Sequence, residues 1–353
     1  MTRNIALDPG FGGFKAAEVQ GETIKVETLP SVVGVGETDL GGLDLAGVTG
    51  KRRRARLPYR IEFQGLSYLV GERVADYARP VERLDFLRLS NGPELRALTY
   101  ATLWRLVDGG EVALNVVMGL PVEVLQGTEA KPTMRSLRGW LVGEHVFTVN
   151  GHEAHLTVKA IRPMAQPVGA FLEWGVDLKG QWARDKSDFM LPVAVLDLGF
   201  NTLDLFTVKG GEVNARYTRG DTLGMRRAAT TLVESVKRQY RRGLSLHEAD
   251  ALMREYIEAP GPVLLAVAGG QENVRPLIRT ALDVAAGEVV SFVEQAWGNG
   301  RQFSHLLMTG GGCLALGGRL RRLLPHADLL PDPVTANARG LARLAQRDDL
   351  VWR

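Results

Sequence analysis

Two aspartates, Asp8 and Asp197, each close a short apolar run and are followed at once by a glycine-containing turn, LDPGF over residues 7–11 and LDLGF over residues 196–200. Superposed at a constant offset of 189 positions, residues 5–24 and 194–213 also bring Val19 onto Val208 and Gly21 onto Gly210. Glycine lets backbone N–H groups approach an anion closely. An aspartate at a strand end stays ionised in a cleft only when a cation or hydrogen-bond donors neutralise it. Phosphate oxygens with Mg²⁺ meet both needs, so a pair of such hairpins reads as a clamp for a polyphosphate. A single Asp-Gly turn is ordinarily a solvated bend. A duplicated one, with its flanking runs in register, is not what unrelated turns produce. The phosphate loop G-x-x-x-x-G-K-S/T is absent, as is a strand-to-helix G-x-G-x-x-G.

The elements that must carry these hairpins follow from periodicity. Runs at 4–7, 14–19 and 24–28 alternate with glycine turns and read as a strand meander. Residues 94–107 place Leu95, Leu98, Leu103 and Leu106 on one helical face, and the apolar run 112–118 reads as a buried strand ended by Gly119 and Pro121. Asn150-Gly151, between runs at 146–149 and 155–161, predicts a two-residue hairpin because both positions accept positive φ. Further strands are expected at 193–196, 203–208, 213–217 and 305–308. Helices are expected at 222–241, 246–258 and 274–297, the second opened by a capping box of Ser245 and Glu248. Residues 34–50 read as a glycine-rich loop leading into the basic run KRRRAR at 51–56, and a domain border is expected near 166–180. Strands mixed with helices in both halves give an α/β class.

The whole chain bounds the function. Its 353 residues suit two domains or one bilobed unit. A 45% hydrophobic and 24% charged composition, with mean hydropathy −0.04, excludes disorder as the main state. The net charge of +3 is too small to make binding to nucleic acid or acidic membranes a property of the whole surface. The single cysteine, Cys313, excludes an intramolecular disulfide and a thiolate zinc site. No apolar run reaches signal-peptide or membrane-span length, so the expected location is the cytoplasm, with no membrane span.

These residues resemble the actin, heat-shock chaperone and sugar kinase superfamily, and within it the bacterial and archaeal actin-like ATPases of the plasmid-segregation (ParM) type. LDPGFGGFK at 7–15 is similar to the family's first phosphate motif, D-x-G-x-G-x-x-K, and VLDLGFNTLD at 195–204 to its second, D-x-G-x-x-T-x-D. MTGGGCLALGG at 308–318 looks like the adenosine motif, ANARGL at 336–341 like the second connecting helix, and AQPVGAF at 165–171 falls where the first should start. The resemblance spans nearly the whole chain, with five motifs in the family's order. It implies an actin-like bilobed fold, two ribonuclease-H-like domains with mixed sheets around a nucleotide cleft, divided as 1–167 with 333–353 and 168–332.

Carried over residue by residue, the resemblance assigns Asp8 and Asp197 to Mg²⁺, through its waters, and Lys15 to the phosphates. Gly10, Phe11, Gly12 and Gly13, with Gly199, Phe200, Asn201 and Thr202, fall in the two phosphate turns, and Gly310, Gly311 and Gly312 on the adenosine side. Gln166 matches the position that orients the attacking water. A glutamine positions water but is a poor base, so turnover should be slow. A different spacing of the same motif puts Arg162 there instead.

The function so implied is a Mg-ATP-dependent ATPase that self-associates into filaments and moves or positions DNA or another cargo, with a DNA-bound adaptor protein as partner. Alternatives in the same superfamily are a non-polymerising nucleotide switch and a small-molecule kinase. The kinase would need an added carboxylate base beside a substrate pocket, and no such motif is present. A chaperone would need a substrate-binding domain after the ATPase body. The run at 51–56 reads either as a solvated loop or as a contact to DNA, an adaptor or a neighbouring subunit.

Overall fold

The computed structural model describes residues 2–36, 57–81 and 92–352. The basic run at 51–56 and residues 37–50 of the expected loop lie outside the described residues. The first lobe runs through β1 (Thr2–Pro9), β2 (Phe14–Gln20), β3 (Thr23–Leu29), β4 (Val33–Val35), β5 (Tyr59–Phe63), β6 (Leu66–Val70), α1 (Pro93–Val107), β7 (Glu111–Leu120), α2 (Ala130–Leu141), β8 (Gly143–Val149) and β9 (His152–Ala165). Among the described residues its strands form one sheet in the order β3-β2-β1-β7-β9-β8-β5-β6-β4. Helix α3 (Gln166–Gly175) leads away from it. The second lobe contains α4 (Lys186–Met190), β10 (Val193–Leu198), β11 (Leu203–Lys209), β12 (Glu212–Val213), β13 (Arg219–Asp221), α5 (Arg226–Tyr240), α6 (Leu246–Glu258), the hairpin β14 (Leu264–Val267) and β15 (Gly270–Asn273), α7 (Arg275–Trp297), β16 (His305–Thr309), α8 (Gly311–Leu323) and β17 (Ala327–Leu329). Its main sheet runs β12-β11-β10-β16-β17, with β13 paired to β11. Helix α9 (Ala336–Leu344) then returns to the first sheet, burying Ala338, Leu341 and Ala342 against Ala6, Ala17 and Val117.

The repeat seen in the sequence extends to topology. β1 pairs antiparallel with β2 and parallel with β7, and β10 pairs antiparallel with β11 and parallel with β16. Strands buried on both faces account for the continuous apolar runs: Ile5 to Leu7 and Val193 to Leu198 are almost fully enclosed. The expected helix face holds, with Leu95, Leu98, Leu103 and Leu106 all in the core. Asn150 and Gly151 have φ of 52° and 82°, as the two-residue turn requires. The Ser245–Glu248 capping box is present.

Three expectations need correction. The strand expected at 213–217 ends at Val213: Asn214 accepts a hydrogen bond from Arg216 N through its side chain and opens a 3₁₀ turn at Ala215–Tyr217, a local bond that competes with the ladder. The helix expected from 222 begins at Arg226, because the N–H groups of 224–226 are committed to the second hairpin. The loop expected from 34 starts later, since Val33–Val35 pairs with β6.

Candidate nucleotide site

Both aspartates end up where the repeat predicts, at the carboxyl ends of central strands, and both are buried: Asp8 is 2% exposed and Asp197 6%. The residues across the ladder differ in sign. Asp8 is paired with Lys15, whose Nζ lies 3.1 Å from Oδ2, whereas Asp197 is paired with Asp204. These are the same position of the repeat, 189 residues apart, so one hairpin carries a neutralised pair and the other two carboxylates.

Each aspartate is also gripped by an amide at the start of a helix that follows its sheet. Gln166, first residue of α3, donates from Nε2 to Asp8 Oδ1 at 2.6 Å. Asn337, near the start of α9, donates from Nδ2 to Asp197 Oδ2 at 2.6 Å. Both amide side chains are buried. The helices cross in backbone contact at glycine: a Cβ on Gly340 would stand 1.8 Å from Gly169 O.

Burial pushes the Asp197 carboxyl up to about 6, with Asp8 adding to the rise and the Asn337 bond opposing it. Burial pushes Asp204 up to about 8, with the Asp197 charge adding. Asp204 Oδ1 accepts from Val122 N of the first lobe at 2.9 Å, while the buried Oδ2 has no protein partner. Three carboxylates thus interact electrostatically at the base of the two hairpins, with Lys15 supplying positive charge at Asp8 and at Asp197.

The hairpin turns face one another. A Cβ on Gly12 would lie 3.1 Å from Phe200 Cβ, and Phe200 packs against the cores of both lobes. In the second turn the carbonyls of Gly199, Phe200 and Asn201 accept from the N–H groups of Met225, Arg226 and Gly224. A Cβ on Gly224 would stand 2.3 Å from Phe200 O, so glycine is needed for that approach. In the first turn Gly10 O accepts from the buried Ser31 hydroxyl, Gly13 O from Lys15 Nζ and Gly12 O from Arg254 on α6. Thr202 is buried, and its hydroxyl opposes the rise at Asp204.

The glycines at 310–312 have distinct surroundings. Gly310, at φ 86°, backs onto the second hairpin, where a Cβ would stand 2.6 Å from Asp197 Oδ1; Gly312 is pressed against Leu198; Gly311 has open space beside it. Cys313 is buried and burial pushes its thiol up, as suits a packing residue. Arg162 lies within β9 opposite Val117, while Gln166 touches Asp8 directly.

The structure therefore brings Asp8, Lys15, Gln166, Asp197 and the two turns together. Sequence reasoning passed over Asp204, Asn337, Ser31 and Arg254. Asp204 was visible as the residue that replaces Lys15 at the repeat offset; Ser31 and Arg254 meet the first turn only through tertiary folding.

Two family models match the chain. Residues 6–169 match the N-terminal domain of actin-like proteins, and residues 195–322 match the C-terminal part of the archaeal MreB-like actin homologue. No curated protein matches the sequence. Among solved structures, the chain is similar to a non-polymerisable quadruple mutant of pCBH ParM, with 19% identity over 98% of this chain and 99% of that one, at a TM-score of 0.75. A 15-stranded ParM filament from Clostridium botulinum is 20% identical with the same coverages and a TM-score of 0.73. The archaeal actin homologue Ta0583 in complex with ADP is 18% identical, again over 98% and 99%, with a TM-score of 0.71.

Proposed function

The chain belongs to the actin-like proteins, and from that premise we propose that it is an ATPase that holds Mg-ATP between its two hairpins and assembles into filaments. The observation that carries this reading is the pair of apposed turns, one from each lobe, each flanked by a buried aspartate held by a helix-borne amide. The ADP complex of Ta0583 and the filament of the Clostridium botulinum ParM, both of this fold, support it. The division proposed for the chain is 1–167 with 333–353 and 168–332.

In this reading backbone N–H groups of the turns around Gly12 and Asn201 bind phosphate oxygens, and Lys15 adds positive charge. Gly311, beside open space, lies on the adenosine side. The donor set fits Mg²⁺: hard carboxylate oxygens, one of them an unpartnered buried oxygen on Asp204. Asp8 and Asp197 would hold Mg²⁺ through its waters. Bound there, Mg²⁺ offsets the charge of the phosphates. Gln166, anchored on Asp8, orients water toward the terminal phosphate, and having no basic carboxylate it supports slow turnover.

Among the described residues no helix is long and apolar enough to cross a membrane, and a single buried thiol suits a reducing cytoplasm. A DNA-bound adaptor is the proposed partner of the filament. Phosphate release from Mg-ATP by the purified protein tests the activity: slow release that requires Mg²⁺ is expected, and absence of any release with nucleotide bound would contradict it.

A further inference from the structure

Helix α2 carries charge of one sign. Its sequence, AKPTMRSLRGWL, holds Lys131, Arg135 and Arg138 and no acidic residue. At about 100° per residue these side chains fall within a sector of about 60° and span about 10 Å along the axis. All are exposed, and among the described residues none of them makes an ion pair or a side-chain hydrogen bond. Basic residues elsewhere in the same lobe are engaged: Arg3 with Glu18, Lys25 with Asp108 and Arg105 with Glu27. The other side of α2 is buried through Thr133, Leu137, Trp140 and Leu141, which holds the basic stripe in a fixed direction.

Helix stability does not account for this pattern. A cation in the first turn opposes the helix dipole, and Lys131 stands there with no acidic residue in that turn and no side-chain cap at Glu129. Arg138 alone of the three sits where the dipole favours a cation. The stripe also lacks the apolar anchor on which protein interfaces centre: Met134 packs against the core, and the helix's other exposed positions are Pro132 and Gly139. A helix that settles on an acidic membrane needs an apolar side free to insert, and that side of α2 is already in the core. A nucleic-acid backbone asks only for cations at fixed positions, and duplex DNA presents one phosphate charge per about 1.7 Å of its axis. With a net charge of only +3, affinity for DNA has to come from a local patch of this kind. We propose that α2 is a binding site for duplex DNA, where Lys131, Arg135 and Arg138 each neutralise a backbone phosphate and read no base sequence. The chain then touches DNA itself, without an adaptor. The inference is independent of the nucleotide site.

The test is fluorescence anisotropy of labelled DNA duplexes of unrelated sequence with the nucleotide-free full chain, over a series of salt concentrations. Wild type is compared with a triple variant, Lys131→Gln with Arg135→Gln and Arg138→Gln, and with the charge-keeping pair Arg135→Lys and Arg138→Lys. Arg321→Gln with Arg322→Gln, exposed on α8, is the control. Wild type should bind the duplexes equally, more weakly as salt rises. The triple variant should lose about 2.7 from the slope of log affinity against log salt and bind roughly ten-fold or more weakly at low salt. The charge-keeping pair and the α8 control should bind like wild type. Melting of the triple variant should be unchanged or slightly raised, since Lys131 opposes the dipole; if the triple variant fails to fold, Lys131→Gln alone should remove about 0.9 from the slope. Absence of binding by wild type at low salt overturns the proposal, as does an unchanged slope in the triple variant or an equal loss in the α8 control. Labelled polyglutamate bound more tightly than DNA would also overturn it, in favour of an acidic protein partner.

Discussion

The charge at one repeated position separates the two hairpins: Lys15 faces Asp8, and Asp204 faces Asp197. Replacing either aspartate of the pair Asp8 and Asp197 by asparagine keeps the size while removing a negative charge that the proposed Mg²⁺ site requires. Asp8→Asn and Asp197→Asn should each lower phosphate release on the order of a hundred-fold or more, with unchanged circular dichroism; near-normal turnover would make the hairpins structural. Gln166→Ala should behave otherwise, still binding nucleotide while single-turnover hydrolysis falls roughly ten- to a thousand-fold. Asp204 has a pH consequence. Its folded value, about 8, stands above the ordinary 3.8, so the folded state keeps the proton over that interval and the unfolded state does not. Stability of the nucleotide-free protein should therefore fall as pH rises from about 4 to about 8. Asp197 contributes in the same direction, and Glu123 is the other charge that raises Asp204. Melting curves of wild type and Asp204→Asn across this range check it: the variant, which retains an acceptor for Val122 N, should show a shallower fall, and parallel profiles would contradict the assignment. Of these residues Asp8 and Asp197 were legible in the repeat, and Lys15 and Gln166 through the resemblance. Asn337 stood within a recognised motif without a role, and its bond to Asp197 spans 140 residues. No local pattern encodes such a contact.

At the scale of elements, the strands and helices that build the hairpins were readable where burial imposes a period, as in β1, β10, α1 and the capped α6. The misreadings fall where a local side-chain bond or a distant carbonyl overrides that period, at Asn214 and at residues 224–226. The crossing of α3 with α9 was not readable, because it depends on Gly169 and Gly340 meeting across the molecule rather than on either helix alone. Added side-chain volume there must part the two helices that carry Gln166 and Asn337. Gly340→Ala should destabilise the fold by roughly 1–3 kcal/mol, measured as a lowered urea midpoint, and should weaken nucleotide binding by shifting both amides off their aspartates. A variant as stable as wild type would show that the helices separate without cost.

For the whole molecule, two sheets joined by paired helices put one hairpin turn on each lobe, so in the proposed function a single polyphosphate bridging them would restrict the angle between lobes. A head-to-tail contact whose geometry depends on that angle adds protomers without closing a ring. The bilobed plan was visible in the internal repeat; the return of α9 to the first sheet was implied by the resemblance rather than by composition or periodicity. High-speed sedimentation of the wild-type protein over a range of concentrations, without nucleotide, with Mg-ADP, and with Mg-ATP or a non-hydrolysable analogue, tests the account most directly. The account predicts pelleting above a critical concentration with ATP or the analogue and markedly less with ADP or none. A protein that stays monomeric at high concentration with the analogue bound would contradict it.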